Sequence, residues 1–241
     1  MKPKIYAMIP ARIGSQRLKF KNLALLNNKP IIYYAINAAK QSKCFDKIFI
    51  NSDDKIFSNI SKRYGVNFYL RPKKLGSSNT RSDDVVNDFI KKFPDLDILV
   101  WVNSIAPLQS GNEIKKIVNF YVKKKIDSLI TVEEKNIHCN YNNKPLNYNI
   151  KSKFAKTQDL KKIQIFVYSI MMWRKEKFTK AYKKRKSAIL SGKTFFYPLE
   201  NSNPIIVKTL DDLKLAEYFI KSKSKKFLLK YDKVLKYKNF I

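Results

Sequence analysis

The 241-residue chain has little of several things that would point to common protein classes. It holds only 2 cysteines, Cys44 and Cys139, and their separation matches neither a CxxC pair nor a metal-ligand spacing. We therefore expect no disulfide framework, and a reducing cytoplasmic compartment is favoured over a secreted location. No apolar run approaches the roughly 18 residues of a membrane span. The apolar part of MKPKIYAMIP is too short for a signal peptide, and we interpret it as a first strand.

Acidic residues are also scarce. The chain has 19 Asp and Glu against 50 Lys and Arg, which gives a formal net charge of +31. Taken alone, this balance favours a polyanionic partner such as nucleic acid. Only seven of the cations are arginine, however, and proteins that read bases and phosphates favour arginine forks. We therefore interpret most lysines as solvated surface and expect no nucleic-acid partner, unless the charge forms one continuous face.

What is present is a pattern of short apolar runs that alternate with amphipathic stretches. This pattern predicts an α/β fold with a mostly parallel central sheet and helices on both faces. The most apolar run, 97–103, is expected at the centre of the sheet. Further strands are predicted at 5–10, 47–51, 67–72, 127–133 and 163–173, and helices at 30–41, 55–65, 82–93, 112–125 and 209–220.

Several residues have the chemistry of helix ends. Gly65 suits a C-terminal cap, and Ser82 is predicted to cap the helix that it begins. Thr209 and Asp212 have the spacing of a capping box.

We interpret residues 1–222 as one domain. Residues 135–162 are rich in Asn and Lys and lack periodicity, and they are too long for an ordinary connection in a compact domain. They are expected to leave the sheet as an excursion or as an arm that contacts a second copy. Residues 223–241 form a basic amphipathic tail, for which a final packed helix is expected.

The chemistry is expected in IPARIGSQRLKFKN, residues 9–22. This stretch follows the first strand, and in open α/β sheets ligands bind beyond the carboxyl ends of strands. It is neither a Walker A motif nor GxGxxG. Four cations, at Arg12, Arg17, Lys19 and Lys21, surround its Gly-Ser pair. Backbone N–H groups and ammonium groups bind phosphate oxygens, so the stretch indicates an anion site; the competing interpretation is that the chain is basic everywhere.

The same residues carry a resemblance. IPARIGSQRLKFKNL resembles the opening motif of the acylneuraminate cytidylyltransferase family, the CMP-sialic acid synthetases, and GSQRL is also similar to the 3-deoxy-manno-octulosonate cytidylyltransferases. The resemblance extends over about residues 4–222. The further matching motifs, in the order of the family, are INSDD (50–54), YLRP (69–72), TRSDDVV (80–86), APLQ (106–109), TQDL (157–160) and TLDDLKLAE (209–217).

The resemblance implies a Rossmann-like nucleotidyltransferase fold and a homodimer. It implies that CTP and an acidic 2-keto sugar react with release of pyrophosphate, with Mg²⁺ as cofactor. It also implies site residues. Those for the nucleotide are Arg12, Ser15, Gln16, Lys21, Asn22, Arg71 and Ser82, of which Arg12 and Lys21 are catalytic, and those for the sugar are Asn103 and Gln158.

The chain departs from the family pattern at several of these positions. Gln16 replaces a lysine after the Gly-Ser pair, and Asn103 replaces a longer glutamine. The Asp-Ile-Asp that holds Mg²⁺ in the family corresponds to Ile206, Val207 and Lys208, so two oxygen ligands are lost. Asp211 is the remaining carboxylate candidate. Two hypotheses stay open: an active cytidylyltransferase, or a catalytically impaired relative that serves as a nucleotide-binding or partner protein.

Other candidates for chemistry are few. The single histidine, His138, has no nucleophile that the sequence places beside it, and we expect a loop residue. Asp53 and Asp54 follow a predicted strand, where a sugar or metal contact and a helix cap are equally compatible with the pattern.

Overall fold

The computed structural model of this chain describes residues 2–200, 204–222 and 228–229. The strands are β1 (Ile5–Pro10), β2 (Leu25–Leu26), β3 (Lys29–Pro30), β4 (Lys47–Ser52), β5 (Asn67–Leu70), β6 (Ile98–Val102), β7 (Ser128–Lys135), β8 (Asn140–Tyr141), β9 (Lys144–Pro145), β10 (Ile163–Arg174) and β11 (Thr194–Pro198). The α-helices are α1 (Ile31–Ser42), α2 (Ile56–Tyr64), α3 (Ser82–Lys92), α4 (Gly111–Lys123), α5 (Lys175–Arg185) and α6 (Leu210–Ser222).

Seven strands form one sheet in the order β11-β7-β10-β6-β1-β4-β5. β1 pairs in parallel with β4 and β6, and β4 pairs in parallel with β5. β10 is antiparallel to both of its neighbours, β6 and β7. The predicted mostly parallel sheet is thus confirmed, and β6 lies at its centre, as its apolar composition indicated.

Side-chain alternation along the strands builds a core on each face of the sheet. In β1, Ile5, Ala7 and Ile9 belong to the core that α1, α2 and α4 cover, whereas Tyr6 and Met8 belong to the core under α3 and α5. Successive side chains of a strand point to opposite faces, so a strand that is apolar at every position must be buried on both. Helices therefore cover both faces, as predicted.

All strands and helices predicted within residues 1–222 form, with ends within a few residues of the expected positions. α5 and β11 have no counterpart among the predicted elements. The sequence of α5, KEKFTKAYKKR, buries only Phe178 and carries too few apolar residues for a helical period.

The helix-end predictions have mixed outcomes. Gly65 ends α2 with a φ of 62° and donates to the carbonyl oxygens of Lys62 and Ser61, as expected of a C-terminal cap. The prediction that Ser82 caps α3 is wrong. Ser82 lies inside the first turn, Arg81 occupies the capping position, and no side chain accepts a capping hydrogen bond there.

Residues 136–162 leave the sheet between β7 and β10. They contain the hairpin of β8 and β9 and a short 3-10 helix at Thr157–Asp159. His138 stacks on Phe154 with ring centroids 4.1 Å apart, beside Tyr148, which is a loop packing role and not a catalytic one.

The predicted tail 223–241, apart from 228–229, lies outside the described residues, so its helix stays a prediction. Within the described part of the chain, no helix is long and apolar enough to cross a membrane.

Candidate functional site

A pocket of about 290 Å³ opens where β1, β5 and β6 end. It lies at the edge of the sheet where the parallel strands have their carboxyl ends. β1 is flanked there by β4 on one side and β6 on the other, so the strand order reverses at β1, which is where ligands bind in open α/β sheets. Seven of the nine implied site residues line it. They are Arg12, Ser15, Lys21, Asn22, Arg71, Ser82 and Asn103.

The loop after β1 is built from a tight turn. The N–H of Ser15 donates to the carbonyl oxygen of Ile13 at 2.9 Å, and the side-chain amide of Asn22 donates to the carbonyl oxygen of Arg12 at 3.2 Å. These bonds hold the two ends of the loop together. A side chain at Gly14 would meet no atom within 4 Å, so the loop backbone is open to an approaching ligand.

The step into the 3-10 helix at Lys21–Leu23 is strained. Phe20, which precedes it, has φ 50° and ψ 32°, a left-handed conformation that is unfavourable for a bulky residue. The following Asn22 is buried, and its Oδ1 accepts no hydrogen bond from any described residue. Strain and an unused buried acceptor thus occur together beside Lys21.

Lys21 stands among like charges. Burial lowers the pKa of its ammonium group, and the positive charges of Arg17, Arg12 and Lys208 lower it further. A lowered lysine pKa means that the protonated form is disfavoured where it stands. A bound anion would reverse this, because it would stabilise the protonated ammonium.

An ion pair forms the floor of the pocket. The guanidinium of Arg71 contacts the carboxylate of Asp53 at 3.1 Å, and the two side chains are only 4% and 8% exposed. A second nitrogen of Arg71 donates to the carbonyl oxygen of Asn51 at 3.3 Å. Burial lowers the pKa of Arg71, which Asp53 partly opposes. Arg71 is thus held in place by Asp53, and its free edge faces the pocket.

The two candidates in INSDD have different roles. Asp53 is committed to Arg71, and a Cβ on the nearby Gly76 would lie 2.2 Å from its Oδ2, so the space around this carboxylate is filled. Asp54 accepts a hydrogen bond from the N–H of Ile56 at 2.8 Å, at the start of α2. Asp54 thus bonds to the first residue of α2, although Lys55 and not Asp54 occupies the capping position there.

The end of β6 is tied to β1 and to β10. The hydroxyl of Ser104 donates to the carbonyl oxygen of Pro10 at 2.7 Å. The side-chain amide of Asn103 donates to the carbonyl oxygen of Tyr168 at 3.0 Å, and its Oδ1 accepts from the N–H of Ile105 at 3.3 Å. Asn103 therefore both lines the pocket and fixes the turn that follows β6.

The remaining two implied residues, Gln16 and Gln158, do not line the pocket. Gln16 follows Ser15 and is exposed, and Gln158 lies in the 3-10 helix of the 136–162 segment.

The segment before α6 packs against the loop after β1. Val207 is fully buried in a small core that includes Leu26 and Ile31 and that contacts Leu18. Its N–H donates to the carbonyl oxygen of Ile105, a pocket-lining residue, at 2.9 Å. The next residue, Lys208, does not line the pocket, but its positive charge contributes to lowering the pKa of Lys21.

The predicted capping box of α6 is confirmed. The carboxylate of Asp212 accepts from the N–H groups of Lys208 and Thr209, each at 2.8 Å, and the N–H of Asp212 donates to the hydroxyl of Thr209 at 3.3 Å. Burial alone would raise the pKa of Asp212, but these N–H groups lower it overall. Asp211 is exposed and pairs with Lys214 at 3.4 Å.

These residues do not fit a protein-held Mg²⁺. No acidic side chain is among the described residues that line the pocket. Across the described residues there is no group of three or more His, Cys, Asp or Glu that suits a metal ion. Two carboxylates that act on pocket-lining residues, Asp53 on Arg71 and Asp212 on Lys21, are already bound to Arg71 and to the start of α6. Mg²⁺ requires oxygen ligands, and here cations stand instead.

Sequence reasoning missed part of the pocket lining. Trp101 on β6 lies two residues before Asn103, which directly follows the strand, so strand alternation predicts both on one face, which was a usable signal. Ser77, Ser78 and Thr80 line the pocket from the loop between β5 and α3, a Ser-rich stretch that carries no motif of its own.

Comparisons with known proteins bear on this geometry. A family model described as Cytidylyltransferase matches residues 6–236. The chain is 26% identical over 244 residues to the N-acylneuraminate cytidylyltransferase of Streptococcus agalactiae serotype V, an alignment that covers 95% of this chain and 57% of that protein. It is 26% identical over 232 residues to post-translational flagellin modification protein B of Campylobacter coli, with 92% and 97% covered.

A solved structure of CMP:2-keto-3-deoxy-manno-octonic acid synthetase complexed with CTP matches with a TM-score of 0.68 and 14% identity. The match covers 91% of this chain and 99% of that one, and it shows that the fold is shared. The chain spans little more than half the length of the streptococcal relative, 57% of it.

Proposed function

The chain belongs to the cytidylyltransferase family, and from this premise we propose that it binds CTP in the pocket at the end of β1 and transfers CMP to an acidic 2-keto sugar. The observation that carries the proposal is the convergence of seven implied site residues on one pocket. The sugar class, sialic acid or a related nonulosonic acid, is proposed from the name of the streptococcal relative.

The two ends of the pocket suit the two ends of a nucleotide. Arg12, Ser15 and Lys21 supply positive charge and an open loop backbone for the triphosphate. Leu75 and Val85 line the pocket together with Ser82 at the start of α3, which gives apolar contact and a hydroxyl for the base and ribose.

The proposed reaction is a single displacement at phosphorus. The anomeric hydroxyl oxygen of the sugar forms a bond to the α-phosphate, the bond from that phosphorus to the bridging oxygen breaks, and pyrophosphate leaves with its electron pair. The hydroxyl proton passes to solvent. Such transfers depend on positioning and charge stabilisation more than on covalent help, and Arg12 and Lys21 are the proposed catalytic cations. Asn103 and Gln158 are proposed for the sugar.

A second candidate function has its own supporting observation. With Ile206 and Lys208 at the family's carboxylate positions and Asp212 bonded to the start of α6, the chain lacks the usual means of holding the ion. A protein that binds the nucleotide but turns over slowly fits this observation. We also propose a homodimer through residues 135–162, which light scattering tests directly: a monomer at micromolar concentration would contradict it.

The test of the proposed function begins with binding. Calorimetric titration should show CTP binding in preference to ATP. Arg12→Ala should lose a charge-assisted contact of about 1.5–3 kcal/mol, which weakens CTP on the order of tenfold or more. Equal CTP affinity in wild type and variant would contradict the site. Pyrophosphate release over a panel of 2-keto acids then separates the two candidates: turnover supports the enzyme, and tight binding without turnover supports the second.

A further inference from the structure

The backbone of Lys208 is held by its neighbours on both sides, and one of these neighbours bonds to a residue that lines the pocket. The preceding Val207 is fully buried, and its N–H donates to the carbonyl oxygen of Ile105 at 2.9 Å. The N–H of Lys208 itself donates to the carboxylate of Asp212 at 2.8 Å. The backbone at this position is thus fixed by two hydrogen bonds and a buried side chain, while the ammonium group stays exposed.

The same small core brings the segment before α6 next to the loop after β1. Leu18, in the loop after β1, packs on the core that contains Val207. Lys208 therefore stands beside the loop that carries Arg12, Arg17 and Lys21, and its charge contributes to lowering the pKa of Lys21. Four cations are thus close enough to act on one another: Arg12, Arg17 and Lys21 from the loop after β1, and Lys208 from the segment before α6.

This concentration of charge is unfavourable without a ligand. Asp212 is the only carboxylate whose charge acts on Lys21 in the described structure, and it offsets a single cation. Like charges at close range repel, and this repulsion adds to burial, which is the larger cause, in lowering the pKa of Lys21. Free CTP carries more negative charge than its magnesium complex, so it relieves this repulsion further. A divalent cation brought into the same space adds to it.

We propose that the ammonium group of Lys208 is a built-in phosphate-binding cation that takes the place of a protein-held divalent ion, so that the pocket binds free CTP in preference to its magnesium complex. This inference rests on the proposed function, because it assumes that the pocket takes a nucleotide triphosphate. On this proposal, Ile206 and Lys208 at the two carboxylate positions of the family do more than remove a metal site. They change the preferred ligand from the magnesium complex of CTP to free CTP. Lys208 is a binding residue for the departing end of the triphosphate.

The experiment titrates the full chain with CTP, once in excess EDTA and once in excess Mg²⁺. Wild type should bind CTP at least about threefold more tightly in EDTA. Lys208→Asp should lose about tenfold or more of the affinity in EDTA and should regain part of it with Mg²⁺, since a carboxylate then faces the phosphates. Lys208→Arg should keep the wild-type behaviour.

Lys214→Asp is the matched control. It makes the same change of net charge on α6, close in sequence to Lys208, at an exposed residue that pairs with Asp211. Its affinity for CTP in EDTA should stay within about twofold of wild type. Thermal unfolding of each variant checks folding, and Lys208→Gln serves as a second variant if Lys208→Asp does not fold.

The outcomes separate the two proposals. If wild type binds CTP neither with EDTA nor with Mg²⁺, the proposed function is wrong. If it binds only with Mg²⁺, the function stands and the inference about Lys208 is overturned. If Lys208→Asp loses no more affinity than Lys214→Asp, the ammonium group has no role in binding and the inference is likewise overturned.

Discussion

Residues 9–22 and residues 204–212 lie against each other at the pocket, yet they relate to the family pattern in opposite ways. The first segment keeps Arg12, Ser15, Lys21 and Asn22, all of which line the pocket. The second has lost both carboxylates of its pattern and offers Lys208. Under the proposed function, the difference teaches that the residues proposed for phosphate and the residues that hold metal in the family pattern are separable, since this chain keeps the first set without the second.

The two segments also differ in how they are held. The loop after β1 is open at Gly14 and passes through the left-handed Phe20. The segment before α6 is fixed by the buried Val207 and by a reciprocal capping box. Strain tends to collect where a ligand stabilises it, whereas a well-bonded segment needs no ligand. This contrast favours the loop as the part that a ligand orders.

The largest expected effect comes from breaking the buried ion pair of Asp53 with Arg71, a residue that lines the pocket together with the first segment. Asp53→Ala leaves the guanidinium of Arg71 buried without its 3.1 Å partner. Removing one member of a buried ion pair typically costs about 3–5 kcal/mol of unfolding free energy. Urea unfolding should show this loss as a lower midpoint, and CTP affinity should fall with it because Arg71 loses its fixed orientation.

Asp211→Ala is the control for that change. Asp211 also pairs with a cation, Lys214, but the side chains are 92% and 68% exposed, and exposed pairs contribute little. If both variants unfold at the same urea concentration as wild type, Arg71 does not depend on Asp53 and the account of the floor is wrong.

A smaller effect is expected from making the second segment resemble the family again. The double variant Ile206→Asp with Lys208→Asp places two oxygen ligands beside the pocket. CTP binding should then become stronger with Mg²⁺ by about tenfold, whereas wild type should show no such gain. Steady-state synthesis of CMP-sugar by both proteins at matched metal concentrations completes the comparison. Robust Mg²⁺-dependent turnover by wild type would mean that other groups hold the ion.

The smallest expected effect is a dependence of CTP affinity on pH, which tests whether the pKa of Lys21 in the first segment is lowered. Because burial and neighbouring cations lower the pKa of Lys21, its ammonium loses its proton below the ordinary lysine value of 10.5. Only the protonated form attracts phosphate, so CTP affinity should fall several-fold as pH rises through that lowered pKa. In Lys21→Arg the charge persists, and the affinity measured over the same alkaline range should stay level. A wild-type profile as flat as the variant's would contradict a depressed pKa.

The fold was largely predictable because its signals are local. The apolar strands, the caps at Gly65 and at Thr209 with Asp212, and the central position of 97–103 all follow from spacing within short windows. The site loop was predictable for the same reason, since one strand end and its cations identify it. α5 escaped because its burial rests on Phe178 alone.

Other features required knowledge of what packs together. The pairing of Arg71 with Asp53 joins the ends of neighbouring strands, and no local pattern specifies it. One missed signal was readable, however. The motif NNKP occurs at 27–30 and 142–145, and each time both asparagines are left-handed at the turn of a two-stranded hairpin. Asparagine tolerates this conformation, so the repeated motif predicts both hairpins.

The small core around Val207 joins parts of the chain that are made at very different times. Leu26 and Ile31 emerge early during synthesis, whereas Val207 and Ala216 emerge near the end. Lys208 therefore joins Arg12, Arg17 and Lys21 only when α6 has docked, and until then the loop after β1 is without this fourth cation. Since this core is much smaller than the two that flank the sheet, opening α6 is expected to cost less than opening the helices that cover those two cores. A ligand that touches Lys208 slows that opening, and hydrogen exchange along α6 is thereby coupled to occupancy of a pocket that the helix does not itself line.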